Sequence, residues 1–230
     1  MLQDGSDRGG FLSEASQLEY CQSESEMIIN VCQFFQSYVC AYLGLHERGS
    51  ELALSRGDDM LKNTPGMVLT MIDPFVRSMS LFGMARQCQG SKKRRYMVQA
   101  RKARKFVSSW AKKGNPNVVH QLKLLKAENL ATVRGRKKSF RGKVLQLYKE
   151  SIALASQEGF VHDSALACER CAEYLLTLDD QEEAHRYWED SIRRYTDWGA
   201  RGKVKALRSK LASNLDVKGD IAGRRSQMDS

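Results

Sequence analysis

The sequence predicts an all-α protein, a solenoid of stacked helix hairpins, and three observations predict it. The words Tyr148-Lys-Glu-Ser-Ile152 and Trp188-Glu-Asp-Ser-Ile192 lie forty residues apart, each reading large aromatic, two charged residues, Ser, Ile. Around them Val144 answers to Ala184, Leu147 to Tyr187, and Leu124-Leu-Lys-Ala-Glu128 to Ala165-Leu-Ala-Cys-Glu169 with a one-residue slip. A period near forty residues carrying two apolar helical patterns marks a helix-hairpin repeat, because one hairpin cannot bury its own apolar face and stacks on a copy of itself. Second, the chain has three prolines in 230 residues and almost no strand-like alternation. Third, it is 42% hydrophobic and 28% charged, the ordinary balance of a soluble globular protein with one sizeable core.

The second word sits in a tetratricopeptide-like frame. Ala184 takes the small position where two helices approach closely, Trp188 lies one turn on, and Ser191 is the next small residue. Their i, i+4, i+7 spacing puts all three on one stripe facing neighbouring helices. Tyr148 and Ser151 hold the matching stations one repeat earlier. With Trp198 near the end of the last full hairpin, these six are the expected repeat-packing residues.

Taken in order, residues 1–22 read as a disordered segment with few apolar anchors, and a helical repeat domain spans 23–213. Its first helix runs from Glu24 to Leu45, with Ile28, Ile29, Cys32, Phe35, Tyr38, Val39 and Tyr42 at helical spacing and Gly44 at the stop. A second runs from about Glu47 to Leu61. Asn63-Thr-Pro-Gly66 is a turn signal. A third covers Met67 to Cys88, with a bend expected at Pro74, where a hydrogen bond is lost. The basic stretch Gln89-Gly-Ser-Lys-Lys-Arg-Arg95 reads as a linker, followed by a basic helix to Lys113 with Val98, Phe106 and Trp110 as its apolar stripe. Gly114-Asn-Pro116 combines a glycine stop, an Asn cap and a proline at the first position of the next helix, about 116–133. Helices follow at about 138–157, 161–178 and 181–197, broken at Gly159 and Asp179-Asp180. Trp198-Gly-Ala200 is a stop or kink. A last helix, Arg201 to Leu215, carries Val204, Leu207 and Leu211 on one face, and 214–230 reads as a polar, disordered tail.

Charge is distributed unevenly. The net charge is +10, but residues 91–143 hold eighteen lysines and arginines against one acid, Glu128, and the remainder is net acidic. Lys92, Lys93, Arg94, Arg95, Arg101, Lys102, Arg104 and Lys105 form a candidate basic interaction patch. Such a concentration suits a solvated helix face, an acidic protein partner, or nucleic acid and nuclear import. Aromatics free to stack on bases are few, since Phe106 and Trp110 are expected in the core, which disfavours nucleic acid.

Other chemistries find little support. Cys168-x-x-Cys171 has no second pair to complete a zinc site, and its cysteines read as small buried packing residues. His46, His120, His162 and His185 are scattered, with no H-E-x-x-H and no nucleophile in a recognisable setting. Glu128 and Glu169 recur one repeat apart, which places them on successive hairpins as interhelical anchors rather than as a paired acid and base. No enzyme activity, metal or cofactor is expected. The first twenty residues lack an apolar secretory core, and the most apolar stretch, Met67 to Cys88, is interrupted by Asp73, Pro74 and Arg77. Six irregularly spaced cysteines suit reduced thiols, so a cytoplasmic protein that does not enter membranes is expected.

One further pattern is specific. The run Trp110, Asn115-Pro116-Asn117, His120, Leu124-Leu125, Ala127-Glu128, then Tyr148, Ser151-Ile152, Ala155, Gly159-Phe160, His162, Ala165-Leu166, Glu169, then Ala184, Tyr187, Tyr195, Trp198-Gly199-Ala200, Lys203-Val204, Leu207 resembles the helical region of large multidomain signalling proteins. In those proteins a serine/threonine-kinase-like domain and a STAND-type ATPase precede this region, and sensor plus histidine-kinase domains often follow it. The likeness covers about residues 25–212, is most specific over the last seventy, and is poor around 89–95. It implies a tetratricopeptide-type superhelix that relays signals through contacts with protein partners, acidic ones or other domains of the assembly. The sequence contains no G-x-x-x-x-G-K-[ST], H-R-D, D-F-G or histidine-kinase nucleotide motif, so no catalytic activity of the relatives carries over. The expectation is a non-catalytic interaction module in signal transduction. The alternative is a nucleic-acid-binding helical protein using residues 91–143.

Overall fold

A computed structural model describes residues 26–64, 66–135 and 137–212. The expected disordered segment 1–22 and the tail 214–230 lie outside the described residues. The described chain is all-α, without a strand among them. Its helices are α1 (Glu26–Leu43), α2 (His46–Arg56), α3 (Asp59–Asn63), α4 (Val68–Gln87), α5 (Gly90–Lys112), α6 (Val119–Arg134), α7 (Lys138–Gln157), α8 (Val161–Leu176) and α9 (Gln181–Asp197), with a 3-10 turn at Pro116–Val118. Residues 201–212 are helical and are called α10.

Local chemistry explains most boundaries. The Asn115 side chain accepts from the Asn117 N–H at 3.0 Å, and Pro116, which has no N–H to lose, follows it. Asp180 caps α9 in the same way through the Glu183 N–H. The helix expected from Glu47 to Leu61 is instead two pieces, because Gly57 takes a positive φ of 53° and turns the chain between α2 and α3.

The basic linker expected at 89–95 is not a linker. α5 begins at Gly90, so Lys92, Lys93, Arg94 and Arg95 are helical residues. Extended backbone at Cys88 and Gln89 and a positive φ of 57° at Gly90 make the turn, and Lys and Arg are good helix formers once it is made. Of the expected stripe Val98, Phe106 and Trp110, Trp110 packs partly buried against the core, and the rest of the buried face is different. Met97, Ala100, Ala103 and Val107 face the core, whereas Val98 is 53% exposed. The two alanines let α4 come close enough for Ser78 Oγ to donate to the Ala100 carbonyl at 3.2 Å.

Two helices occupy the middle of the molecule. Every residue of α4 from Asp73 to Gly83 is buried, and so is every residue of α8 from Asp163 to Ala172. Side chains key the C-terminal helices together. Ser151 Oγ on α7 donates to the His120 carbonyl of α6 at 2.8 Å, and Ser191 Oγ on α9 donates to the Ala165 carbonyl of α8 at 2.9 Å. Tyr148, Ala184 and Trp188 are buried beside them. Trp198 is not: it is 44% exposed and stacks on His162 with 5.1 Å between rings. The turn at Gly199 (φ 83°) follows at once, and the Trp198 ring at the helix end also lies 6.1 Å from that of Tyr42 and 6.4 Å from that of Tyr195.

Contacts also reach far beyond neighbouring hairpins. Tyr42 of α1 bonds Asp163 of α8, and His46 of α2 meets Arg170 of α8 at 3.3 Å. Gly83 belongs to the same junction, since a Cβ there would run into the His46 ring.

Candidate functional site

The α5 helix has two opposite faces. Arg94, Arg101, Lys105 and Lys112 fall at i, i+7, i+11 and i+18, and all are exposed. They form a stripe about 27 Å long, at 1.5 Å per residue, on the side away from Ala103 and Val107. Lys92, Arg95 and Lys102 are also exposed, while Lys93 and Arg104 are half-buried. Two cations of the predicted patch are engaged with neighbours. Arg101 Nε donates to Asn129 Oδ1 at 2.8 Å, and Lys102 Nζ lies 2.7 Å from Asp58 Oδ2. Partial burial, and then the neighbouring Arg101, pull the Arg104 guanidinium below its ordinary pKa. Lys92, Lys93, Arg94, Arg95, Arg104 and Lys105 make no ion pair among the described residues.

Behind this face lies a chain of buried charge. Asp58 also accepts from Arg77, which reaches Asp73 at 3.3 Å, and Asp73 pairs with Arg56. Burial raises the Asp73 carboxyl above its usual range, with Arg56 and Arg77 opposing. A second chain runs through the C-terminal half. Glu128 accepts from Tyr148 at 2.7 Å and pairs with Arg86 at 2.8 Å, while Glu169 pairs with Lys203 at 2.7 Å and accepts from Tyr195 at 3.3 Å. Burial raises both carboxyls despite these cations. Each of the two repeat-related glutamates is bonded to a tyrosine from the following helix, and Glu128 also pairs with Arg170 of α8 at 3.4 Å.

The third polar centre was not visible as a group in the sequence. Asp163 accepts from Tyr42, from Gln121 Nε2 at 3.1 Å, and bonds His120 Nε2 at 2.6 Å. Burial would raise this carboxyl, but the His120 hydrogen bond and its neighbours hold it below the usual range. Burial pushes the Tyr42 hydroxyl far up, so it is a donor to Asp163 rather than a nucleophile. All three side chains are buried, and each is used to join helices. The only sequence signal was a polar residue recurring where the helical phase demands an apolar one.

Cys168 and Cys171 are buried thiols in α8, and burial raises both pKa values, that of Cys168 to about 12. A thiol so protonated is a poor nucleophile and metal ligand. No helix among the described residues is long and apolar enough to cross a membrane. Compared with known proteins, the chain matches no family model, no curated protein and no solved structure.

Proposed function

We propose that this chain is a non-catalytic helical-repeat interaction and relay module of cytoplasmic signal transduction, and that α5 receives an acidic protein partner. The observation that carries the reading is the α5 stripe, whose cations are exposed and whose members Arg94 and Lys105 make no ion pair among the described residues. Unpaired like charges on one helix repel each other, so an acidic surface laid along them is attracted without first breaking internal bonds. The tetratricopeptide-like frame of α7 to α10 supports a scaffold role, as does the engagement of the buried carboxylates in structural pairs. The ion pairs from Lys102 through Asp58, Arg77 and Asp73 to Arg56 connect α5 to the buried charges of α2 and α4.

The test is fluorescence anisotropy at physiological salt with a labelled poly-glutamate peptide and, in parallel, a labelled RNA and a DNA duplex. The peptide is expected to bind, and the triple change Arg94→Glu, Arg101→Glu, Lys105→Glu is expected to weaken it at least about tenfold, about 1.4 kcal/mol. Peptide binding that ignores the triple change overturns the reading. A nucleic-acid dissociation constant well below about 10⁻⁶ M at that salt replaces it with the nucleic-acid alternative.

A further inference from the structure

A cleft of about 420 Å³ opens where α5 begins, between the ends of α6 and α8. Four cations line it: Arg86, Lys93, Arg134 and Lys137, and no acid is among the described residues of its wall. Its volume lies within the range of small-molecule pockets. Arg86 forms the floor, and behind it Glu128 neutralises one charge at 2.8 Å. Lys93, Arg134 and Lys137 have no ion pair among the described residues, the Arg134 guanidinium lying instead over the Phe140 ring.

Helix dipoles account for only half of this set. Arg86 and Arg134 stand in the last turns of α4 and α6, where cations complement the carbonyl ends. Lys93 closes the first turn of α5, and Lys137 is the residue preceding α7, both at ends that favour anions. Neither of these two helices has an acid in its first turn or a side-chain cap. Two lysines thus lie where they weaken their own helices and converge on one cavity, a cost offset when an anion occupies it.

We propose that this cleft is a binding site for a phosphoryl group carried on a protein partner, an inference that rests on the reading of the chain as a receiver of acidic proteins. A phosphoryl dianion offers three acceptor oxygens and close to two charges, enough to engage several of the four cations at once, whereas one carboxylate satisfies a single donor fork. The α5 stripe then holds the acidic sequence flanking the modified residue. A nucleic-acid backbone presents phosphates in a row and bases to stack, and the cleft holds one group beside a single tyrosine, Tyr174, whose hydroxyl is already donated to the Gly135 carbonyl at 3.0 Å.

The test uses the full chain, inorganic phosphate, and a pair of acidic peptides identical except that one carries phosphoserine where the other carries serine. Phosphate added at constant ionic strength is expected to shift the amide resonances of Lys93, Arg134 and Lys137 in a saturable way. The phosphopeptide is expected to bind at least about tenfold more tightly than its serine twin. Lys93→Ala with Lys137→Ala should abolish that preference, and circular dichroism should confirm that the variant folds. Equal affinity for the two peptides overturns the proposal, as does a preference that survives the double change. Saturable phosphate shifts without a peptide preference mean a small-anion site and likewise overturn it. The stripe variant Arg94→Ala, Arg101→Ala, Lys105→Ala should weaken both peptides alike. If it weakens neither while the preference persists, the proposed function of the stripe fails and the cleft stands.

Discussion

The Tyr42 hydroxyl donates to the Asp163 carboxylate across 121 residues of chain, and through it α1 is fastened to α8. Asp163 is fully enclosed and serves Tyr42, His120 and Gln121 together. Two segments remote in sequence, α1 and α6, therefore share one acceptor on α8. A buried charge with all its partners is tolerated, but removing one side leaves polar groups with neither water nor a bond.

Asp163→Ala should accordingly lower the free energy of unfolding by about 3–5 kcal/mol, the usual cost of breaking a buried charged pair. Tyr42→Phe, which removes one hydrogen bond to a charged group, should cost about 1.5–3 kcal/mol. Urea unfolding followed by circular dichroism measures both. A Tyr42→Phe protein within about 0.5 kcal/mol of wild type, the range of a neutral surface change, would mean that α1 is held by apolar contacts alone.

His46 predicts a pH dependence. Burial, partly countered by Glu173 and reinforced by Arg86, lowers its pKa from 6.5 to about 4. Arg170 can only donate, so His46 Nε2 must accept, which the protonated ring cannot do. The folded protein then binds this proton less tightly than the unfolded chain. Stability from this site is complete above pH 6.5 and is lost as pH falls toward 4, by up to about 1.4 kcal/mol per unit. Unfolding curves of wild type and His46→Gln between those limits should converge as pH drops. Parallel curves would refute the assignment.

The thiols of α8 should be silent in the folded state. Cys168 and Cys171 are buried and protonated, whereas Cys32 and Cys88 are half-exposed. Brief alkylation with iodoacetamide followed by peptide mass spectrometry should label Cys32 and Cys88 first. Cys171→Ala should leave the far-ultraviolet spectrum unchanged, and purified protein should carry no stoichiometric zinc. Early labelling of Cys171, or one zinc per chain that resists dialysis, contradicts the packing role.

Helix α10 should prove indispensable. Val204 and Leu207 are buried, and Lys203 of the same helix supplies the partner of Glu169. Leu207→Asp forfeits the burial of a leucine and encloses a charge, so a loss of about 3–5 kcal/mol is expected. Lys205 is exposed, and Lys205→Asp should stay within about 0.5 kcal/mol. Ending the chain at Gly199 uncovers Glu169 together with the apolar surface and should cause aggregation, visible by light scattering. A truncated protein that remains monomeric with the same Tm would show α10 to be a dispensable tail.

What the sequence determined by itself is whatever depends on a few consecutive residues. The all-α class follows from helical periodicity, and the breaks at Gly44, Gly114-Asn115-Pro116, Gly159 and Gly199 follow from backbone conformations that glycine and proline impose locally. The forty-residue repeat marked Tyr148, Ser151, Ala184, Trp188 and Ser191, all buried, because a stripe at helical spacing needs no knowledge of its partner. Tertiary structure decided the rest. Met97, Ala100, Ala103 and Val107 join Trp110 on the core face of α5 in place of the expected Val98, because close approach of α4 required the alanines. Trp198 resembled a packing residue until the turn at Gly199 placed it on the surface against His162. Asp163 beside Tyr42, and Lys93 beside Lys137, are neighbours only because helices distant in the chain meet there. Propensity acts within a turn or two of helix, whereas the partner of a buried charge is chosen by how whole helices dock.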